Sequence, residues 1–411
     1  MPRLPLFALA LALAACSARP AEEELLVPDA AVSDAAVPDA APPAAAPVLR
    51  VATFNAALNR AEAGALRAEL EAGSAQARAV AEIVQRTAPD VLVLQEFDYD
   101  PAALDLFRAR YLAVSQGENA AIDYPHALAF AANTGEPSGL DLDRDGRTDG
   151  PGDAWGFGAF PGQYAFAILS RHPIDAAAIR SFRLLRWSAM PGARAPVDPE
   201  SGAPWYAPEV WSALRLSSKN HVDVPITVAG KPLHLLVAHP TPPVFDGPED
   251  RNGRRNADEI RLWADYLDPA RAGWITDDAG RVGGLDPGAS FVIAGDLNAD
   301  PVDGDSADGA IAQLLDHPRI HREAARGALV PRSEGGKLAG RAPEHRGDPA
   351  HDTAGWGLRV DYVLPSADLQ VIASGVFWPG PDDPAAALVD RQGERDPSSD
   401  HRLVWLDLRL P

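Results

Sequence analysis

Several short apolar runs in this chain end on a polar residue able to take part in catalysis. Asn55 follows VATF, Glu96 follows VLVLQ and His239 follows LHLLVA. Asp296 and Asn298 close FVIAGDLN, and Asp361 lies within RVDYVLP. Asp400 and His401, in SSDH, stand just before the last apolar run. Carboxylate and amide oxygens are the donors preferred by a hard cation such as Mg²⁺. Histidine titrates near neutrality and can serve as base, acid or hydrogen-bond donor. The set suits metal-assisted chemistry on phosphate esters, where a cation and fixed donors offset the charge that builds on phosphoryl oxygens. Taken singly, each residue has a plainer reading. Asn55 can close a turn, Asp296 can make an Asx turn, and His239 can be a satisfied histidine before a Pro-rich turn. Their recurrence at strand ends argues for one pocket, because a rigid scaffold delivers strand-end side chains to one place.

The strands themselves are legible. Residues 48–54, 91–95, 165–169, 233–238, 291–294, 360–364 and 403–408 read as compact apolar strands. Residues 76–87 put Val80, Ile83, Val84 and Thr87 on one helical face, and Pro89-Asp90 stops that helix. Ile260, Trp263, Tyr266 and Leu267 form the stripe of another helix. Strands along the whole length with few helices predict a mixed α/β or α+β plan, not a pure βαβ array. Gly- and Pro-rich stretches near 131–163, 183–212 and 330–358 read as long surface insertions.

Composition narrows the class. The 411 residues carry a net charge of −21, which argues against holding nucleic acid by a broad basic surface. A bound cation can still supply positive charge locally. The single cysteine, Cys16, excludes an internal disulfide framework. It stands at the end of MPRLPLFALALALAAC, in which Arg3 precedes an apolar run too short to span a bilayer. Residues 1–15 have the layout of a signal peptide. Leu13-Ala14-Ala15-Cys16 resembles a bacterial lipobox, so Cys16 is the expected lipidation site. Ser17 then favours the outer membrane of a Gram-negative cell. Residues 16–47, rich in Ala and Pro and without aromatics, read as a disordered, semi-stiff tether. The predicted domain is 48–411.

Within 48–411 the sequence resembles the endonuclease/exonuclease/phosphatase superfamily, which includes deoxyribonucleases, AP endonucleases, neutral sphingomyelinases and inositol polyphosphate 5-phosphatases. The resemblance rests on TFN, LQE, AILSRHPI, a His-bearing strand end, GDLN, RVDYVL and SDH, in that order. It implies a four-layer α/β sandwich of two stacked mixed β-sheets flanked by helices. It implies Glu96 as the principal carboxylate for Mg²⁺ or Mn²⁺, with Asn55 and Asp400 beside it. His401 would lie next to the scissile phosphate, with Asp361 fixing its tautomer from behind. Asp296 would orient or deprotonate the attacking water. Asn298 would donate to a phosphate oxygen. His239 matches a second histidine of the deoxyribonuclease and sphingomyelinase branches, which AP endonucleases lack.

Two further features stand apart. Lys219, just before a hairpin leading to His239, matches the place where the deoxyribonuclease branch keeps a cationic phosphate-binding residue, with Arg215 as the alternative. Asp141, Asp143, Asp145 and Asp149 form a D-x-D-x-D-G run resembling the start of a Ca²⁺ loop. Position 12 of such a loop falls on Gly152, so a solvated turn is the rival to structural Ca²⁺.

The expected function is a divalent-metal-dependent phosphoesterase outside the cytoplasm, most simply a phosphodiesterase because of His239. Its partners would be a nucleic acid, a nucleotide or a phospholipid head group, and the membrane through the lipid anchor. No protein partner is predicted. The alternatives are a phosphomonoesterase and a non-catalytic surface lipoprotein that keeps the fold.

Overall fold

A computed structural model describes residues 47–307, 309–340, 342–390 and 396–411. The leader, Cys16 and the tether up to residue 46 lie outside the described residues. The strands are β1 (Leu49–Asn55), β2 (Val91–Gln95), β3 (His126–Phe130), β4 (Phe166–Ser170), β5 (Arg180–Ser181), β6 (His221–Val228), β7 (Lys231–Ala238), β8 (Phe291–Asp296), β9 (Asp361–Pro365), β10 (Gln370–Val376) and β11 (Val404–Arg409). The first five α-helices are α1 (Ala65–Ala72), α2 (Ala75–Thr87), α3 (Pro101–Phe107), α4 (Pro208–Ala213) and α5 (Arg251–Leu267).

One sheet has the order β10-β11-β1-β2-β4-β3 and the other β5-β6-β7-β8-β9. Each contains one parallel pair, β1 with β2 and β7 with β8, among antiparallel neighbours. Side chains alternate across a strand, and β8 shows what that does here. Val292 and Ala294 join a core shared with β1 and β2, while Phe291 and Ile293 join a second core with Ile260 and Trp263 of α5. On the other side, Val80, Ile83 and Val84 of α2 pack into the first core. The layers are therefore helix, sheet, sheet, helix: the expected sandwich. Burying each such side chain is worth about 1.5–3 kcal/mol.

Local signals set the helices that cover the sheets. The Ser74 hydroxyl accepts from the Ala77 N–H at 3.1 Å and caps α2, a contact worth about 1 kcal/mol. Ala88, at φ 46°, ends the same helix and donates to the Val84 carbonyl at 2.7 Å.

The sequence missed β3, the two-residue β5, β6 and β10. Strand β3 is half-buried throughout and lacks the dense apolar signal of its neighbours. Strand β6 carries Pro225, which ordinarily argues against a strand interior. It is tolerated because that position needs no N–H: on the side away from β7 the Pro225 carbonyl accepts from the Asp175 N–H at 2.9 Å, and β5 pairs only with Val222 and Asp223. Strand β10 holds Gly375, where a Cβ would meet the Trp405 ring at 2.7 Å.

The topology brings the polar strand ends together. Strands β1, β2, β7 and β8 end at one edge of the sandwich. Strand β9 starts there because it runs antiparallel to β8, and β11 starts there because it runs antiparallel to β1. Gly295, just before Asp296, permits this convergence: a Cβ there would lie 2.0 Å from the Ala238 carbonyl oxygen.

Candidate active site

Asp296 lies at the centre of the cluster. Its Oδ2 accepts from Asn55 Nδ2 at 3.1 Å, joining the ends of β1 and β8 across the two sheets. The same oxygen lies 3.4 Å from His239 Nε2 and 3.7 Å from His401 Nε2. Its Oδ1 accepts from the Asn298 N–H at 3.0 Å. Behind His401, Asp361 Oδ2 is 2.9 Å from Nδ1. The Thr353 hydroxyl donates to that carboxylate oxygen at 2.8 Å and accepts from the N–H groups of Val360 and Asp361, each at 3.0 Å. Thr353 therefore locks the carboxylate that fixes the imidazole.

Electrostatics separates the two histidines. Burial pushes His401 down, but the carboxylates of Asp361 and Asp296 outweigh it and raise its pKa to about 10. His239 sits well below the ordinary histidine value because it is buried and faces the positive Lys219 and His401. At neutral pH the pair is one imidazolium and one neutral imidazole. Burial, strengthened by neighbouring Asp361 and opposed by His401 and Asn55, pushes Asp296 up to about 7. The buried atoms His239 Nδ1 and Asp361 Oδ1 have no partner among the described residues.

Glu96 follows β2 in a left-handed conformation, φ 53°, and Asn298 follows β8 at φ 51°. Such a backbone is costly for residues with a Cβ and clusters at functional sites. Glu96 is half-buried, and Asn59 Nδ2 donates to its Oε2 at 2.7 Å. Burial raises its pKa against the pull of His401, Asn55 and Lys219. Asp98, two residues on, is pushed up to about 6 by burial despite accepting the N–H groups of Arg60 and Tyr164. Lys219 is buried at the same end and donates to the Pro240 carbonyl at 3.4 Å. Burial lowers its pKa, against the attraction of Glu259, Glu96 and Asp296.

Other sequence candidates fall further out. Asp400 is exposed and lines two open clefts of about 580 Å³ and about 620 Å³, close enough to Glu96 and His401 to act on both electrostatically. Arg215 instead pairs with Glu136 at 2.9 Å and lies over the Trp155 ring. Asp141, Asp143 and Asp145 gather with carboxylate oxygens within 4.8 Å of one another, whereas Asp149 pairs with Arg147 at 3.0 Å.

The comparisons with known proteins follow this geometry. A model of the endonuclease/exonuclease/phosphatase family matches residues 52–401, most of the chain and every strand end described above. The chain belongs to this family. Among solved structures, an endonuclease/exonuclease/phosphatase from Beutenbergia cavernae is 19% identical, with a TM-score of 0.48 over 88% of this chain and 72% of that one. Sphingomyelinase C from Streptomyces griseocarneus is 17% identical, with a TM-score of 0.44 over 88% of this chain and 99% of that one. A family protein from Bacteroides thetaiotaomicron is 13% identical, with a TM-score of 0.46 over 89% and 96%. No curated protein matched the sequence.

Members of the family are metal-dependent phosphoester hydrolases, and the donor set here fits a hard divalent cation. Glu96 is a half-buried carboxylate whose side-chain hydrogen-bond partners, Asn59 and Asn55, are neutral amides, the situation in which a cation is favoured. Asp296, Asp361 and His401 also hold potential ligand atoms within 4.8 Å of one another. Asp361 and His401 are, however, already hydrogen-bonded to each other, and Asp296 to Asn55 and Asn298.

Sequence reasoning did not find Thr353, Asn59 or Trp356, whose ring stands edge-on to His401 with centroids 5.0 Å apart. All three lie on irregular segments outside any apolar run. Their one signal was proximity in sequence to Asp361 or Asn55.

Proposed function

We propose that this chain is a divalent-metal-dependent phosphodiesterase acting outside the cytoplasm. The observation that carries the reading is the convergence of Asn55, His239 and His401 on one oxygen of Asp296, with Asp361 and Thr353 holding His401 from behind. When bound at Glu96 with help from Asn55 and Asp400, a divalent cation supplies positive charge to the phosphoryl oxygens. The protein side chains supply the rest. Asp296 orients the attacking water and takes its proton. The His401 imidazolium donates to a phosphoryl oxygen. The Asn298 Nδ2 hydrogen that is not on the Pro240 carbonyl, together with Lys219, adds donors to the same group. Neutral His239 stands by the leaving oxygen, and this second histidine favours diesters over monoesters.

The test is hydrolysis of bis(p-nitrophenyl) phosphate by residues 48–411 with Mg²⁺ or Mn²⁺. Activity should vanish with chelator and return with added cation. Glu96→Gln should raise the cation concentration for half-maximal rate by about 10–100-fold, the range for weakened metal shells. An unchanged titration would remove Glu96 from the shell. Hydrolysis of p-nitrophenyl phosphate alone would favour the monoesterase.

The proposed location rests on the leader and Cys16 in the sequence. No helix among the described residues is long and apolar enough to cross a membrane. Replacing Cys16 by Ser in the full chain should move the protein from the membrane fraction to the soluble one. Continued sedimentation with membranes would refute the lipid anchor.

A further inference from the structure

Helix α5 runs behind the strand ends, and its first turns aim polar side chains at three of them. Glu259 is fully buried. Its Oε1 accepts from the Ser218 N–H at 2.6 Å and from the Ser218 hydroxyl at 2.9 Å. Its Oε2 accepts from the Thr241 N–H at 2.7 Å. One carboxylate thus ties the residue before Lys219 to the segment just after His239. Asn256, three residues earlier and so on the same helical face, is equally buried. Its Nδ2 donates to the carbonyls of Thr241 at 2.9 Å, Leu297 at 3.0 Å and Asn298 at 3.3 Å. That second side chain ties the His239 segment to the Asn298 loop.

The segment so held is itself a junction. The Pro240 carbonyl accepts from Lys219 Nζ at 3.4 Å and from Asn298 Nδ2 at 3.2 Å. Lys219, His239 and Asn298 therefore share three consecutive residues, His239 to Thr241, as a common reference. The helix needs neither polar side chain to pack, because Ile260 and Trp263 supply its apolar contact. A fully buried carboxylate is costly unless its donors are well placed. Here each donor belongs to a segment carrying a site residue.

We propose that Glu259 and Asn256 are positioning residues, a backbone clamp that fixes Lys219, His239 and Asn298 relative to one another. Its effect on rate rests on the phosphoesterase reading, whereas its effect on local order rests on geometry alone. A misplacement of about 1 Å can cost about 10²-fold in rate.

The test uses Glu259→Gln, which keeps the shape but turns an amide NH₂ toward one of the donors. Two readouts are taken. Hydrogen exchange should quicken in residues 217–221 and at the His239 and Thr241 amides while β7 and β8 stay protected. The kcat for bis(p-nitrophenyl) phosphate should fall about 10–100-fold with KM within about threefold. In a Lys219→Met, His239→Ala background, the same change should lower the residual rate less than about threefold, because the site residues on the two segments that Glu259 ties together are gone. Equal losses in both backgrounds, or unchanged exchange in the two segments, would overturn the clamp. If the wild type hydrolyses no ester, the phosphoesterase reading fails and exchange still decides the clamp. Should Glu259→Gln not fold, Glu259→Asp, which keeps the charge but shortens the reach, is expected to loosen the same two segments.

Discussion

Replacing His401 by Ala is expected to lower kcat for bis(p-nitrophenyl) phosphate by about 10³-fold, or about 4 kcal/mol of transition-state stabilisation. The expectation follows from where the proton sits. Asp361 and Asp296 together overcome burial and hold the His401 pKa at about 10, so the ring is an imidazolium across the neutral range. One face of that charge is spent on Asp361, at 2.9 Å. Nε2 stands 3.7 Å from Asp296 Oδ2, too far for a full hydrogen bond and free to turn to a phosphoryl oxygen. A preorganised donor of this kind does its work when charge develops.

Truncation also exposes a stability risk. Without the ring, Asp361 Oδ2 keeps the Thr353 hydroxyl at 2.8 Å, while Oδ1 has no partner. A buried carboxylate left without its cation can cost about 3–5 kcal/mol. His401→Asn separates the two effects, because its amide can still donate toward Asp361. Thermal unfolding and kcat should be measured on both variants. His401→Asn should unfold at a higher temperature than His401→Ala and remain inactive. Turnover within tenfold of wild type in that folded variant would sink the assignment.

Why some of this was readable and some was not is a matter of period and distance. Strands β1, β2, β7 and β8 are buried on both faces along most of their length, so their dense apolar runs announce themselves and mark the residues at their ends. Asn55, Glu96, His239 and Asp296 were found in this way. Asp361 and His401 were found because the DY and SDH patterns flank short apolar runs. The half-buried β3 and the Pro-containing β6 gave no such signal. The residues that hold the site were hidden for a different reason. Thr353 reaches Asp361 through a hydroxyl on an irregular loop. Glu259 and Asn256 act on backbone atoms 15 to 42 positions away along the chain. A helix pattern identifies the apolar stripe of α5, but it cannot say which loops the polar side meets. Lys219 lies between these cases. Its place before a hairpin was legible, whereas its burial against Pro240 depends on how β6 and β7 pair.

Asp296→Asn is the other change with a large expected effect, a fall in kcat of about 10²-fold or more. Geometry alone predicts a loss. The wild-type carboxylate accepts on both oxygens, from Asn55 Nδ2 at 3.1 Å and from the Asn298 N–H at 3.0 Å. An amide in the same place must turn its NH₂ toward one of those donors in either orientation. The charge argument adds a signature that orientation cannot mimic. Burial raises Asp296 to about 7, so in wild type the proton-accepting form is lost as pH falls through that region and the rate falls with it. A divalent cation at Glu96 would favour the ionised carboxylate and move this limb to lower pH. In Asp296→Asn the titrating group is gone, and the limb should disappear with it. His401 also loses one of the two carboxylates that raise it, so its loss of a proton at high pH should begin earlier. The measurement is the pH dependence of kcat for both proteins from about pH 5 to about pH 10, at saturating Mg²⁺. A variant that is slow but keeps the wild-type acid limb would show that another group takes the proton. Asp296 would then be left with the orienting role that its contacts to Asn55 and Asn298 already describe.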